Sequence, residues 1–267
     1  MHRRLRPYAT LSSFAAFQPS VPSEDDKCVD FNGTDEYMQT DQTSTALGPT
    51  NQWTIMAWVK PDWSPAFGDT VLELYGNSGN NNRIIVKCGG ASATQFFMQI
   101  YDSAGSSRKQ GQLNGVWGDG VWQQIVVTFD GTDTGDPFDA YKDGSLLAIN
   151  KTQNSSCTMT DTYRVVVGAA LSGVAGSYAD CRVHSIAMWD DLLTSGEINA
   201  IYNGGDGASF DLSQDSGSYT SSADLSRWWR LGLDSADIGK DYVDGDVDLM
   251  DNASGITVSN IVTDSPT

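Results

Sequence analysis

From Cys28 onward, short hydrophobic runs alternate with clusters of Gly, Asn, Asp and Ser. The runs Cys28–Phe31, Trp53–Val59, Thr70–Tyr75, Arg83–Cys88, Gln95–Tyr101, Trp122–Phe129, Phe138–Tyr141, Tyr163–Gly168 and Cys181–Trp189 are rich in β-branched and aromatic residues and read as strands. Their spacing, about ten residues with turn signals between, predicts an all-β fold, a two-sheet antiparallel sandwich or jelly roll, rather than βαβ units.

Two runs depart from simple alternation. Ile55–Val59 and Ile125–Val127 with Phe129 are apolar on both faces, which predicts central strands covered on both sides. Asp143-Gly144 after Phe138–Lys142 predicts a tight hairpin turn. Thr194-Ser-Gly-Glu197 is a capping box, with Thr194 as N-cap and Glu197 reaching back to it. The short helix it opens places Ile198, Ile201 and Tyr202 on one face and is expected to end at Gly204-Gly205.

The last third is strongly acidic but still holds Trp228-Trp-Arg-Leu-Gly232 and Ile256–Val262, both compatible with strands. It reads as part of the same sandwich. The organisation is thus a flexible basic arm at 1–25 followed by one β domain at 26–267.

Composition sharpens this picture. Eight Trp, ten Tyr and nine Phe in 267 residues supply enough bulk for a core and argue against disorder. Of 34 acidic residues only Glu24, Glu36, Glu73 and Glu197 are glutamates, a bias towards turns over helices. The formal net charge of −18 repels phosphate backbones and anionic lipid, so neither nucleic acid nor a membrane surface is expected as a partner. No stretch approaches the ~20 apolar residues of a membrane helix.

Arg3, Arg4 and Arg6 precede the first acid, Glu24, and make the arm a candidate anchor on an acidic partner surface. The segment Pro7–Pro19 is too interrupted by polar residues for the core of a signal peptide. Cys28, Cys88, Cys157 and Cys181 form no C-x-x-C pair. Oxidised, they would allow three pairings; buried free thiols are the default reading.

The order of motifs carries a family resemblance. Val29-Asp-Phe-Asn-Gly-Thr-Asp-Glu-Tyr37 is followed by Trp53-Thr-Ile-Met-Ala-Trp-Val-Lys-Pro61, then Trp122–Gly131, Tyr141-Lys-Asp-Gly144, Val167-Gly168 and Ile186–Gly204. Over roughly residues 26–206 the chain resembles the laminin-G-like, pentraxin-related branch of the concanavalin A-like lectin/glucanase superfamily. The Trp228–Gly232 and Asn252–Asp264 pieces also resemble the closing part of lectin-like virion proteins of marine bacteriophages. The resemblance implies a jelly roll that commonly binds glycans and sometimes Ca2+.

Catalysis is not expected. The retaining glucanases of this superfamily resemble one another in a strand motif with two closely spaced glutamates, and the four glutamates here are too far apart to form one. The two histidines offer no nucleophilic arrangement: His2 lies in the arm and His184 sits among apolar strand residues. Asp130, Asp133 and Asp136 in one loop, and Asp241–Asp251 in another, could present oxygen ligands to Ca2+; the competing reading is solvated turns. Candidate aromatics for stacking on sugars are Trp63, Tyr101 and Trp117, each of which could instead seal a core edge. Trp53, Trp58, Trp122 and Trp189 are expected in the core.

The expected function is a non-catalytic recognition or display module on a virion surface, binding glycan or host surface and contacting other virion proteins. The alternatives are a purely structural capsid-associated role without sugar affinity and, against the glutamate count, glycan hydrolysis; the jelly-roll surface could also self-associate.

Overall fold

A computed structural model describes residues 26–40, 52–62, 69–76, 83–88, 94–101, 108–131, 133, 136–153, 163–171, 177–243, 247–250 and 255–267. The arm with Arg3, Arg4 and Arg6 lies outside these residues, as do Trp63 and Cys157.

In chain order the described strands begin with β1 (Lys27–Asn32), β2 (Met38–Thr40), β3 (Gln52–Pro61), β4 (Asp69–Tyr75), β5 (Arg83–Cys88), β6 (Phe96–Tyr101), β7 (Arg108–Leu113) and β8 (Gln123–Asp130). They continue with β9 (Phe138–Lys142), β10 (Ser145–Leu146), β11 (Asn150–Gln153), β12 (Arg164–Val167), β13 (Asp180–Trp189), β14 (Leu225–Arg230), β15 (Leu249–Met250) and β16 (Ile261–Thr263). The first sheet has the order β10-β9-β8-β3-β13-β1-β16, with β14 also paired to β13; the second runs β11-β7-β6-β5-β4-β12-β2-β15. Neighbours are antiparallel throughout, so the fold is the expected two-sheet sandwich.

Alternation explains which side chains meet between the sheets. On β5, Ile84, Val86 and Cys88 enter the core while Arg83, Ile85 and Lys87 take the opposite face; on β6, Phe96, Met98 and Ile100 enter opposite Phe97, Gln99 and Tyr101. The void lined by Ile55, Val71, Trp117 and Ile125 amounts to only ≈ 10 Å³, about one water probe, so that space takes no ligand.

The doubly apolar runs are central, as their pattern predicts. Trp53, Ile55, Ala57 and Val59 of β3 and Ile125, Val127 and Phe129 of β8 face the second sheet. Met56, Trp58 and Val126 on the reverse face are buried under a separate layer that includes helix α1 (Ser195–Tyr202), Leu193, Leu212 and Tyr219. The closing segment completes the first sheet: β14 extends along β13 and β16 along β1.

Helix α1 starts as expected, with both halves of the capping box formed. Its end differs: Asn203 (φ 52°) is the left-handed cap, one residue before the glycines, a conformation that Asn tolerates. The Asp143-Gly144 turn forms with φ 49° and 73°, as a primed hairpin turn requires. Ile256–Val262 is less extended than expected. Thr257 Oγ1 accepts from Ser259 N–H (3.3 Å) and Asn260 Oδ1 accepts from Thr257 N–H (3.0 Å), curling residues 258–260 into a 3-10 turn ahead of β16.

Trp53, Trp58 and Trp189 are core residues. Trp122 is only half-buried, because it precedes β8 and its indole N–H reaches out to the Asp264 carboxylate at 3.0 Å. Cys28, Cys88 and Cys181 are buried free thiols; burial, then the charge of Asp264, pushes Cys28 up to about 12.

Candidate functional site

The outer face of the second sheet gathers polar and aromatic side chains across many strands. Register alone sets the row: Arg164 (β12) opposes Tyr75 (β4), Tyr75 opposes Arg83 (β5), Arg83 opposes Tyr101 (β6), and Tyr101 opposes Arg108 (β7). Arginine and tyrosine therefore alternate across five strands. One step along the strands lies a second row, Gln39, Val166, Glu73, Ile85, Gln99, Gln110 and Thr152.

Several side chains of these rows, Arg108 aside, interlock. The Arg83 guanidinium lies 4.8 Å from the Tyr101 ring centre, and the Arg164 guanidinium 5.5 Å from that of Tyr75. Arg164 Nη1 donates to Gln39 Oε1 (2.9 Å) and to the Tyr75 hydroxyl (3.0 Å). Gln99 Nε2 donates to Gln110 Oε1 (3.0 Å). The Glu73 carboxylate is buried, accepts from Leu171 N–H (2.6 Å) and stands 3.8 Å from Arg83 Nη1. Burial raises the Tyr75 phenol above its usual range despite the Arg164 charge, and burial followed by the Arg83 charge lowers the Lys87 ammonium. Tyr75, Arg83, Lys87, Phe97, Tyr101 and Gln110 each keep part of their surface exposed. The exposed part of the face thus offers rings, phenols, the Gln110 amide and the Arg83 guanidinium, groups that serve sugar rings and hydroxyls, with Gln39, Gln99 and Arg164 buried behind them.

Of the three aromatics expected to contact sugar, this face includes Tyr101. Trp63 lies outside the described residues. Trp117 is corrected: it is 3% exposed and packs inside the sandwich, tilted against Phe96. Its loop is folded inward because Val116 and Trp117 N–H both donate to Thr94 O (3.0 and 3.1 Å). The Gln123 side chain bonds Gly118 in both directions (2.8 and 2.9 Å) and holds the loop there.

In the described part of the aspartate loop the carboxylates accept bonds from protein groups. Asp136 Oδ1 holds Lys151 Nζ at 2.6 Å, with Asp139 on the same ammonium at 2.8 Å. Asp133 Oδ1 accepts from Asp136 N–H (3.1 Å), and Asp130 Oδ1 accepts from Gln52 Nε2 (3.3 Å). Of the second loop, Asp241 Oδ1 accepts from Trp228 and Val243 N–H, while Asp248 Oδ1 accepts from Asp241 N–H. Among the described residues no three His, Cys, Asp or Glu side chains converge to hold a metal ion. Of the three candidate ligands, Asp136 is thus paired with a lysine ammonium, while Asp130 and Asp133 accept bonds from Gln52 and from the Asp136 backbone.

The described glutamates are engaged in structural bonds. Glu36 accepts from Asn32 N–H (2.8 Å) and Asn260 Nδ2 (2.9 Å), Glu73 is placed as above, and Glu197 caps α1. His184 is 1% exposed, edge-on to Trp122.

The second sheet's outer rows were illegible in the sequence. Residues 75, 83, 101, 108 and 164 share no motif, and β7, Arg-Lys-Gln-Gly-Gln-Leu, lacks the apolar alternation that marks a strand. Gly111 at its centre gives a reason: a Cβ there would sit 2.8 Å from both Ile149 and Phe138, so large neighbours fill the inward position.

Comparison with known proteins agrees with this architecture. Residues 32–199, more than half of the chain, match the family model of the concanavalin A-like lectin/glucanases superfamily, Laminin_G_3. Similar solved structures include a heptameric SAP-like pentraxin from Limulus polyphemus: TM-score 0.51, 11% identity, 92% of this chain and 98% of that one. A candidate carbohydrate binding protein from Bacteroides ovatus superposes with TM-score 0.59 and 16% identity over 90% of this chain and 60% of that one. The CBM40 of the Ruminococcus gnavus IT-sialidase does so with TM-score 0.51 and 14% identity over 66% of this chain and 96% of that one. At such identities the likeness bears on fold alone. No curated protein sequence matches the chain.

Proposed function

The chain belongs to the concanavalin A-like lectin/glucanases superfamily, and from that premise we propose that it is a non-catalytic glycan-recognition module. The observation that carries the reading is the Arg164–Tyr75–Arg83–Tyr101 row with its neighbouring amides, on a sheet face built from five or more strands. Solved relatives described as a carbohydrate binding protein and as a CBM40 support the same direction. The commitment of Glu36, Glu73 and Glu197 to structural bonds supports recognition without turnover.

A glycan microarray tests this. Saturable binding that Tyr101→Ala weakens, with no product released from the bound sugar, is the expected result. Release of oligosaccharides, or binding indifferent to Tyr101, would overturn it.

The virion placement rests on the resemblance of the closing segment to phage lectin-like proteins. On that reading the arm with Arg3, Arg4 and Arg6 docks on an acidic neighbour in the particle. Deleting residues 1–25 should abolish incorporation into particles while the sandwich stays folded, and unchanged incorporation would refute the anchor.

A further inference from the structure

The row also bears on which sugars the face takes. Several cations elsewhere among the described residues meet carboxylates: Lys60 and Arg182 hold Asp264, Lys151 holds Asp136 and Asp139, and Arg227 approaches Asp241. Arg164 departs from this. It is 7% exposed, its Nη1 donates only to the neutral oxygens of Gln39 and Tyr75, and its buried Nε–H meets no protein acceptor. No described carboxylate pairs with it. Burying a guanidinium without a counter-charge is costly, and in a chain with 34 acidic residues a partner carboxylate would have been easy to place.

The neighbourhood adds to the excess. Arg83 lies one strand beyond Tyr75, and Lys87 is on the same face of the same strand. The carboxylates beside them are two: Glu73, tied to Leu171 N–H at 2.6 Å and standing 3.8 Å from Arg83, and the buried Asp69, whose charge acts on Lys87. This face therefore concentrates positive charge on a molecule of net charge −18. Guanidinium forks match the two oxygens of a carboxylate or sulfate, and phenols and amides beside them match hydroxyls.

We propose that the Arg164–Tyr75–Arg83–Tyr101 row binds an anionic sugar, a hexuronate or a sulfated hexose, with the acidic group facing the two guanidinium groups. This rests on the recognition reading above and narrows it to a substrate class. Both acids share the chemistry, and separate probes tell them apart.

The test is calorimetric titration of the full chain with three oligosaccharide sets of equal length: oligogalacturonides, sulfated galacto-oligosaccharides and neutral galacto-oligosaccharides. Short probes are chosen because the net charge repels long polyanions. One acidic set should bind about tenfold or more tighter than the neutral set, the scale of one charge-assisted contact. Arg83→Gln should reduce that preference to within about twofold of neutral binding, read on protein whose circular dichroism shows it folded, since the substitution also takes a cation away from the buried Glu73. Arg164→Lys should do the same in part, since lysine keeps the charge but loses the fork. Equal binding of neutral and acidic sugars, or a preference that survives Arg83→Gln, would overturn the anionic assignment and leave glycan recognition standing. Binding of none of the three, together with an empty glycan array, would overturn both.

Discussion

Arg182 on β13 donates to the Asp264 carboxylate at 2.6 Å, joining a central strand of the first sheet to the end of the chain. The same carboxylate accepts from Lys60 Nζ (2.7 Å) and Trp122 Nε1 (3.0 Å). Burial works against its charge, but the bonds from Lys60, Trp122 and Arg182 outweigh burial and hold its pKa at about 2. Asp264→Asn should cost about 2 kcal/mol in urea unfolding, less than a fully buried pair because the site keeps some solvent contact.

The pH dependence follows from the direction of that shift. A carboxyl held below its ordinary value of 3.8 contributes fully above that value and loses its contribution as pH falls through about 2. Wild-type stability should therefore drop between pH 4 and 2 by more than that of Asp264→Asn. Parallel curves for the two proteins would contradict the assignment.

Glu197 does more than cap a helix. Its Oε2 accepts from Thr194 N–H and Oγ1 (both 2.9 Å), while Oε1 accepts from Ser221 Oγ (2.6 Å) and from Thr220 N–H and Oγ1 (both 3.2 Å). Burial opposes the charge, yet bonds from Ser221, Thr194 and Thr220 bring its pKa down to about 2. Glu197→Ala should cost more than the ~1 kcal/mol of a typical cap, about 2 kcal/mol, and Thr194→Ala about 1 kcal/mol. Equal effects of the two substitutions on the thermal midpoint would mean the Ser221 contact contributes nothing.

Gly207 lies against Trp58: an added Cβ would run into the indole ring. Gly207→Ala should destabilise by about 1–3 kcal/mol through overpacking. A neutral effect in chemical denaturation would mean that the chain here can lift off the first sheet at little cost.

Trp117 and Tyr101 should separate stability from recognition. Trp117→Ala empties a core position and should cost about 3–5 kcal/mol. Tyr101→Ala, at a partly exposed strand end, should leave the melting temperature within a few degrees yet weaken sugar binding. The reverse pattern would move the binding site to the Trp117 loop.

Millimolar Ca2+ should leave the melting temperature unchanged, since Lys151 already bridges Asp136 and Asp139. A rise of several degrees, abolished by Asp136→Asn, would mean that the ion displaces the ammonium.

Much of the fold was readable before any coordinates. β5 matches its predicted run residue for residue, and α1 begins at the predicted cap, because alternation and capping are local rules. β2, β7, β10, β11 and β15 were not readable. They are short or polar, and they are strands because a neighbour supplies hydrogen bonds, not because their own residues demand it. Trp117 illustrates the same limit. A loop tryptophan reads alike whether it faces water or core, and only the bonds of Thr94 and Gln123 decide.

The sequence by itself determined the class of fold, the doubly buried strands, the capped helix and the lack of a paired-glutamate motif, all properties written within a few neighbouring residues. The tertiary structure alone decided where Arg164, Tyr75, Arg83 and Tyr101 meet, since strand register brings together positions up to 89 residues apart. It also decided that Asp136 serves a lysine and that Asp264 closes the first sheet. The physical reason is common to all three: antiparallel pairing and charge neutralisation act between elements distant in the chain, and no local pattern records the partner.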